Sequence, residues 1–225
     1  MTNTKIDLPA TENDMRALKV GDIVYVTGIT HTMRDMGHRR LIEMTKRGEK
    51  PPFNLTGGTI WHCGPIVRKT QDKWEIVAAG PTSSSRFTEL GAKLVEQLQV
   101  RVTIGKGTMG QPMIDALKHV GGVYLVATGG CAALYSKKVI NVQDVHWLDL
   151  GIPEAVWVLK VNQFGPLVVG IDSAGNSLEQ QVLKNARVRI QEIFKEQNIN
   201  PQRTYVWWPK KIAGTKELMD SVLES

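Results

Sequence analysis

Residues 80–106, GPTSSSRFTELGAKLVEQLQVRVTIGK, constrain the fold more than any other stretch of the chain. A strand expected over residues 74–79 enters the Gly80-Pro81 turn. Four hydroxyl residues follow, Thr82 to Ser85, and then Arg86. Leu90, Leu94, Val95 and Leu98 recur at helical spacing, and a second apolar run at 102–104 ends at Gly105, Lys106 and Gly107. The order is strand, polar turn, helix, strand. It places the hydroxyl cluster at a helix start, where free N–H groups and the positive dipole end favour an anion. Arg86 falls in the first helical turn, where a cation is locally disfavoured, so its placement points to a partner elsewhere. Lys106 reaches the same edge if the two strands are parallel neighbours. The competing reading is plain: Ser and Thr before a helix usually cap it, and an arginine there is usually solvated.

Around this unit, short apolar runs alternate with turns. An extended piece at 6–8 and a turn or short helix at 13–18 precede a strand at 23–29, which runs into Thr30-His31-Thr32. A helix is expected from about 33 to 46. Arg34 and His38 lie four apart and share one of its faces, which by pattern alone reads as exposed and polar. Strands are expected at 59–63 and 74–79, with Ile66 and Val67 continuing past the Gly64-Pro65 break. Beyond Lys106, Pro112 signals a helix over 112–120. A buried strand follows at 123–127, and Gly129-Gly130 opens a helix over 131–138. Two strands at 155–161 and 167–171 are separated by Phe164-Gly165-Pro166, and Ser177 caps a last helix running to about 195. The boundaries expected are one domain over 1–197 and an extension over 198–225. In that extension Trp207-Trp208 reads as a docking element.

Composition narrows the function classes. The net charge is +6, yet basic residues neither form blocks nor interleave with aromatics, which argues against nucleic-acid binding. No apolar run reaches membrane-span length, and the amino terminus lacks a signal peptide's apolar core, so a soluble, cytoplasmic chain is expected. The two cysteines, Cys63 and Cys131, have no metal-ligand spacing and cannot hold a four-thiolate cluster. The loop at 105–110 lacks the ending of a P-loop, which leaves a nucleotide-binding reading without its motif.

Five ordered motifs carry a resemblance: RDMGHRRLIE at 34–43, GPIVRK at 64–69, GPTSSSR at 80–86, GKGTMG at 105–110 and VHWLDLGIPEAVW at 145–157, with FGPLVVGIDSAGNSL after them. Over residues 21–178 the chain resembles the β-subunit, or C-terminal domain, of class I fumarate hydratases and L(+)-tartrate dehydratases. The family pattern in the third motif is GPTT followed two residues later by Arg. Ser83 replaces the second Thr here, while Thr82 and Arg86 keep their positions.

The resemblance implies an α/β, swivelling β/β/α domain with a mixed sheet, followed here by a C-terminal tail. It implies a reversible hydration of a dicarboxylate, with a [4Fe–4S] cluster carried by a partner α-subunit and not by this chain, in an α2β2 heteromer. That cluster is the Lewis acid for the leaving hydroxyl. Carried over residue by residue, Thr82 is the base and Arg34 and Arg86 bind substrate carboxylates. Lys106 stands near both base and substrate, and His38 is either a proton carrier or the residue that orients Arg34. A neutral hydroxyl is a weak base, so nearby cations have to favour its alkoxide. Fumarate/malate and tartrate/oxaloacetate stay open as substrates. A non-catalytic anion-binding or assembly subunit with the same fold is the alternative from a different class. If the catalytic reading holds, Arg34, Thr82, Arg86 and Lys106 converge in space on one surface concavity.

Overall fold

The computed structural model describes residues 3–71 and 73–200; the Trp207-Trp208 element lies outside them. Four parallel strands run side by side: β2 (Ile23–Thr32), β3 (Thr59–Trp61), β6 (Val102–Gly105) and β7 (Val123–Val126). The long strand β9 (Val156–Ile171) pairs antiparallel with both β7 and β2 and closes them into a five-stranded barrel. Strand β1 (Asn3–Asp7) extends the sheet beside β2, and β8 (Val139–His146) extends it beside β9. The expected mixed-sheet α/β domain is therefore present.

Side chains alternate across the barrel wall, as strand geometry requires. Trp61, Val102, Ile104, Val123 and Leu125 point into one core with Val24, Val26, Trp157 and Leu159. Their neighbours Ile60 and Tyr124 point out, into a second core with Leu94, Val95, Met113 and Leu117. These last four come from helices α3 (Thr88–Leu98) and α4 (Gln111–Val120), while α2 (Asp35–Lys46) adds Leu41 and Ile42. Burying each aliphatic side chain of this kind contributes about 1.5–3 kcal/mol relative to exposure.

Two expectations change. Residues 155–161 and 167–171 do not form separate strands: β9 runs unbroken for 16 residues. Pairing on both edges overrides the Phe164-Gly165-Pro166 break, and the irregularity is absorbed as register shifts opposite Val24, Val26 and Gly28. Strand β5 (Lys73–Ala78) is not a neighbour of β6; it forms a separate two-stranded hairpin with β4 (Ile66–Thr70). The parallel neighbour of β6 is β3.

The short helices α1 (Glu12–Arg16) and α5 (Ala132–Ser136) complete the first of two units, residues 1–183. Helix α6 (Leu178–Glu196) begins there, with Ser177 Oγ accepting from the Gln180 N–H at 3.4 Å as the sequence predicts. The second unit spans 184–225 and is described over residues 184–200. No helix among the described residues is long and apolar enough to cross a membrane.

Candidate active site

The expected residues stand at the carboxyl ends of the parallel strands. Arg34 follows β2, Lys106 follows β6, and Glu154 precedes the antiparallel β9 at the same end. Thr82 reaches that edge by backbone bonding rather than by sheet adjacency. Its N–H donates to the His62 carbonyl just beyond β3 (2.7 Å), and its carbonyl accepts from the Lys106 N–H (3.3 Å). The Ser84 N–H donates to the Lys106 carbonyl (2.9 Å), so Ser83 forms a one-residue parallel bridge with Lys106.

Each candidate carboxylate-binding arginine already faces a carboxylate. Arg86 meets Asp35 at 3.0 Å, and its guanidinium lies 4.9 Å from the centre of the Phe87 ring. Arg34 Nε lies 3.5 Å from Glu154, close enough for an ion pair but without hydrogen-bond geometry, and Nε is buried without a hydrogen-bond partner. Glu154 also accepts the Met36 N–H (2.8 Å) and so caps α2, whose N-cap residue Arg34 makes no side-chain cap of its own. Gly64 is bare where Arg34 passes: a Cβ there would lie 2.8 Å from Arg34 Cδ and 2.7 Å from the Pro153 carbonyl. Asp35 opens α2 directly after Arg34, so the Arg86–Asp35 ion pair ties the segment of Arg86 to the start of that helix. Thr82 and Lys106 are half-buried and Arg86 is exposed.

The hydroxyl cluster does not cap a helix. Ser85–Phe87 is a 3₁₀ turn, α3 starts only at Thr88, and neither start carries a side-chain cap bond. Arg86 thus lies before the α-helix rather than in its first turn. Ser84 turns inward, fully buried, and its hydroxyl pairs with His62 Nδ1 at 2.8 Å. Its neighbour Gly105 leaves no room for a side chain, since a Cβ there would fall inside the Ser84 hydroxyl and 2.9 Å from His62 Nδ1. Gly105→Ala is therefore expected to destabilise the domain by about 1–3 kcal/mol, the usual cost of overpacking. Adding Ser84→Gly should recover only part of that loss in a urea titration, because His62 Nδ1 still crowds the new Cβ and loses its partner. A Gly105→Ala chain as stable as the parent would show that the Ser84–His62 contact is not tight.

His38 is not on an exposed face. It is fully buried, stacked on Phe87 (4.8 Å between ring centres, 6° between planes) and 5.3 Å from His62. Its Nδ1 donates to the Arg34 carbonyl at 2.8 Å, which leaves Nε2 buried and unpartnered. Burial pushes its pKa down to about 4, against the opposing effects of the Arg34 carbonyl and Asp35. His62, also fully buried with an unpartnered Nε2, is held well below the usual imidazole range by burial, then by His38 and Arg86. Both rings are neutral near pH 7, and the full burial of His38 with Nδ1 held by the Arg34 carbonyl favours its orienting role over a proton carrier.

Sequence reasoning missed Asp35, Glu154, His62 and Ser84. The first two had a signal, since both lie inside quoted motifs; the inward turn of Ser84 had none. Arg34, Thr82, Arg86 and Lys106 are carried by segments that meet at one strand edge, through the Thr82–His62 and Thr82–Lys106 backbone bonds and the Arg86–Asp35 ion pair. A cleft of about 500 Å³ is lined by His31, Phe53, Asn54, Asp144 and His146 among others, and none of the expected residues lines it. Shape favours that cleft; the cations and hydroxyl residues carried at the strand ends favour that edge, and chemistry is the stronger guide to a site.

The chain does not fit an iron–sulfur cluster. Cys63 is buried and Cys131 partly so, and burial pushes the Cys63 thiol up, away from the thiolate that ligates iron. No group of three or more His, Cys, Asp or Glu among the described residues is placed to hold a metal ion.

Residues 1–182 match the Fumarase C-terminus family. The L(+)-tartrate dehydratase subunit beta of Escherichia coli K12 is 42% identical over 171 residues, covering 76% of this chain and 83% of that one. A Methanocaldococcus jannaschii chain provisionally given the same name is 44% identical over 185 residues, 82% of this chain and 95% of its own length. A Geobacillus stearothermophilus protein provisionally named class I fumarate hydratase is 41% identical over 192 residues, 85% of this chain but 36% of that longer one. The chain belongs to the Fumarase C-terminus family of hydro-lyases, as a chain of the β-subunit type.

Proposed function

We propose that this chain is the β-subunit of a [4Fe–4S]-dependent hydro-lyase that reversibly dehydrates a 2-hydroxydicarboxylate, L-malate to fumarate or L-tartrate to oxaloacetate. It acts only with an α-subunit that carries the cluster, in a cytoplasmic α2β2 assembly, with residues 198–225 as an extension outside the catalytic domain. The observation that carries this reading is the pair of arginines at one strand edge, each beside a resident carboxylate, Arg34 with Glu154 and Arg86 with Asp35. Each contact engages one guanidinium nitrogen, Nε of Arg34 and a terminal nitrogen of Arg86, and so orients a group that has further N–H donors to offer a substrate. A dicarboxylate offers two carboxylates, and the planar fork of arginine matches each.

The remaining roles follow from position. Thr82 takes the proton next to the substrate carboxylate, and Lys106 and Arg86 favour its alkoxide form. The backbone bonds of Thr82 to His62 and Lys106 fix where that hydroxyl stands. His38, neutral and buried, holds the Arg34 carbonyl and thereby the start of α2. The chain contributes base and cations, and the cluster comes from elsewhere.

The test is anaerobic co-expression with the α-type chain, followed by side-by-side assays of fumarate, L-tartrate and mesaconate. Hydration or dehydration by the complex is expected, with no turnover and no stoichiometric iron in this chain purified alone. Activity from the isolated chain would end the two-subunit reading.

A further inference from the structure

Among the described residues outside α6, seven large apolar side chains are exposed, and five of them sit on the segments that build the site. Met36 lies two residues after Arg34, and its N–H is the one held by Glu154. Ile152 lies two residues before Glu154. Ile66, 64% exposed, and Val77 stand at the base of the β4–β5 hairpin, where the chain leaves Gly64 and returns toward Thr82. Leu134 projects from α5, whose Ala132 packs 3.2 Å from where a Gly80 Cβ would lie. Scattered exposed apolar residues need no explanation, but five carried by segments that adjoin one polar site do.

We propose that these five side chains form an apolar collar on which the α-type subunit docks, closing the site. This rests on the two-subunit reading above and adds the surface. A charged centre ringed by apolar groups suits a partner that must exclude water from the reacting groups as it binds, because surrounding contacts that keep water out are what let a central cluster act. The occupant is an α-type chain rather than a second copy, because the relatives of this length are named as β-subunits, components of a larger assembly.

The test uses the full-length chain and the co-expressed α-type chain. The double variant Ile66→Glu/Val77→Glu, shown by circular dichroism and Tm to be folded, is expected to weaken the complex by about a hundredfold or more, as loss of an interface hot spot does. Lys19→Glu, in the turn at the opposite ends of the strands, should bind like the parent. Hydrogen exchange on the parent complex should show new protection at residues 34–37, 64–67 and 76–82, a readout that stands even if the variant misfolds. A parent complex with an undiminished variant, or with protection only elsewhere, overturns the collar and leaves the two-subunit reading intact. Protection of the same segments in the isolated chain, rising with its concentration, assigns the face to a second copy and likewise overturns it. A parent chain that forms no complex overturns both.

Discussion

Thr82→Ala, in the chain assembled with its α-type partner, is expected to lower kcat by about 10²–10⁴-fold, the usual worth of a positioned general base, with KM little changed. The structural work of Thr82 is done by its backbone, through the N–H to His62 and the carbonyl from Lys106, and alanine keeps both bonds. The N-cap of the following 3₁₀ turn is Ser84, so no cap is lost and the fold should be unaffected. Thr82→Ser should keep part of the rate, because the hydroxyl remains but loses the methyl group that restricts its rotamer.

Arg86→Lys separates the base from the cation. It keeps a charge near Thr82 but loses the fork, the contact with Asp35 and the stack on Phe87. Its KM should rise together with the fall in kcat, whereas Thr82→Ala should move kcat alone. Steady-state kinetics on co-purified complexes, with cluster content measured in each, distinguishes the two. Near-normal turnover in a fully loaded Thr82→Ala complex would remove Thr82 from the mechanism. Lys106 would then be the next base to test, since His38 is fully buried and its Nδ1 is held by the Arg34 carbonyl.

Much of this site was legible in the sequence because its parts are local. Arg34 at the start of a helix, Thr82 after a strand and turn, and Lys106 at a strand end each follow from short-range pattern, and parallel strands bring such ends together. What local pattern could not give was which strands are neighbours. Strand β5 precedes Thr82 directly in sequence, yet it pairs only with β4, and the Thr82 loop reaches β6 through the Ser83–Lys106 bridge instead. Nor could pattern give burial. His38 and Arg34 share a helix face on paper, but Phe87 comes from a distant segment to cover His38. The three hydroxyls after Thr82 look alike in sequence, and only the tight approach of Gly105 and His62 selects Ser84 as the buried one.

The buried imidazoles set the acid limit of the fold. His31 and His38 titrate at about 4 in the folded chain, burial being the first cause for each, and His62 is also strongly depressed by burial. In the unfolded chain each titrates near 6.5. Between these values the unfolded state binds more protons, so stability falls as pH falls. The contribution is fully present above about pH 6.5 and is lost progressively toward pH 4, with about 3 kcal/mol at stake for each of His31 and His38. Protonating His38 would add an N–H at Nε2, which is buried and without an acceptor, 5.3 Å from the ring of His62. Domains of this kind are stable by only about 5–15 kcal/mol, so urea midpoints should be flat from pH 8 to 6.5 and then drop steadily toward pH 4. His38→Leu will start from a lower stability, because the Arg34 carbonyl loses its donor, but its loss between pH 6.5 and 4 should be visibly smaller than the parent's. An unfolding free energy unchanged from pH 7 to pH 5 would mean that these rings reach solvent or an acceptor when charged, and that the packing of His38 against Phe87 and His62 opens at little cost.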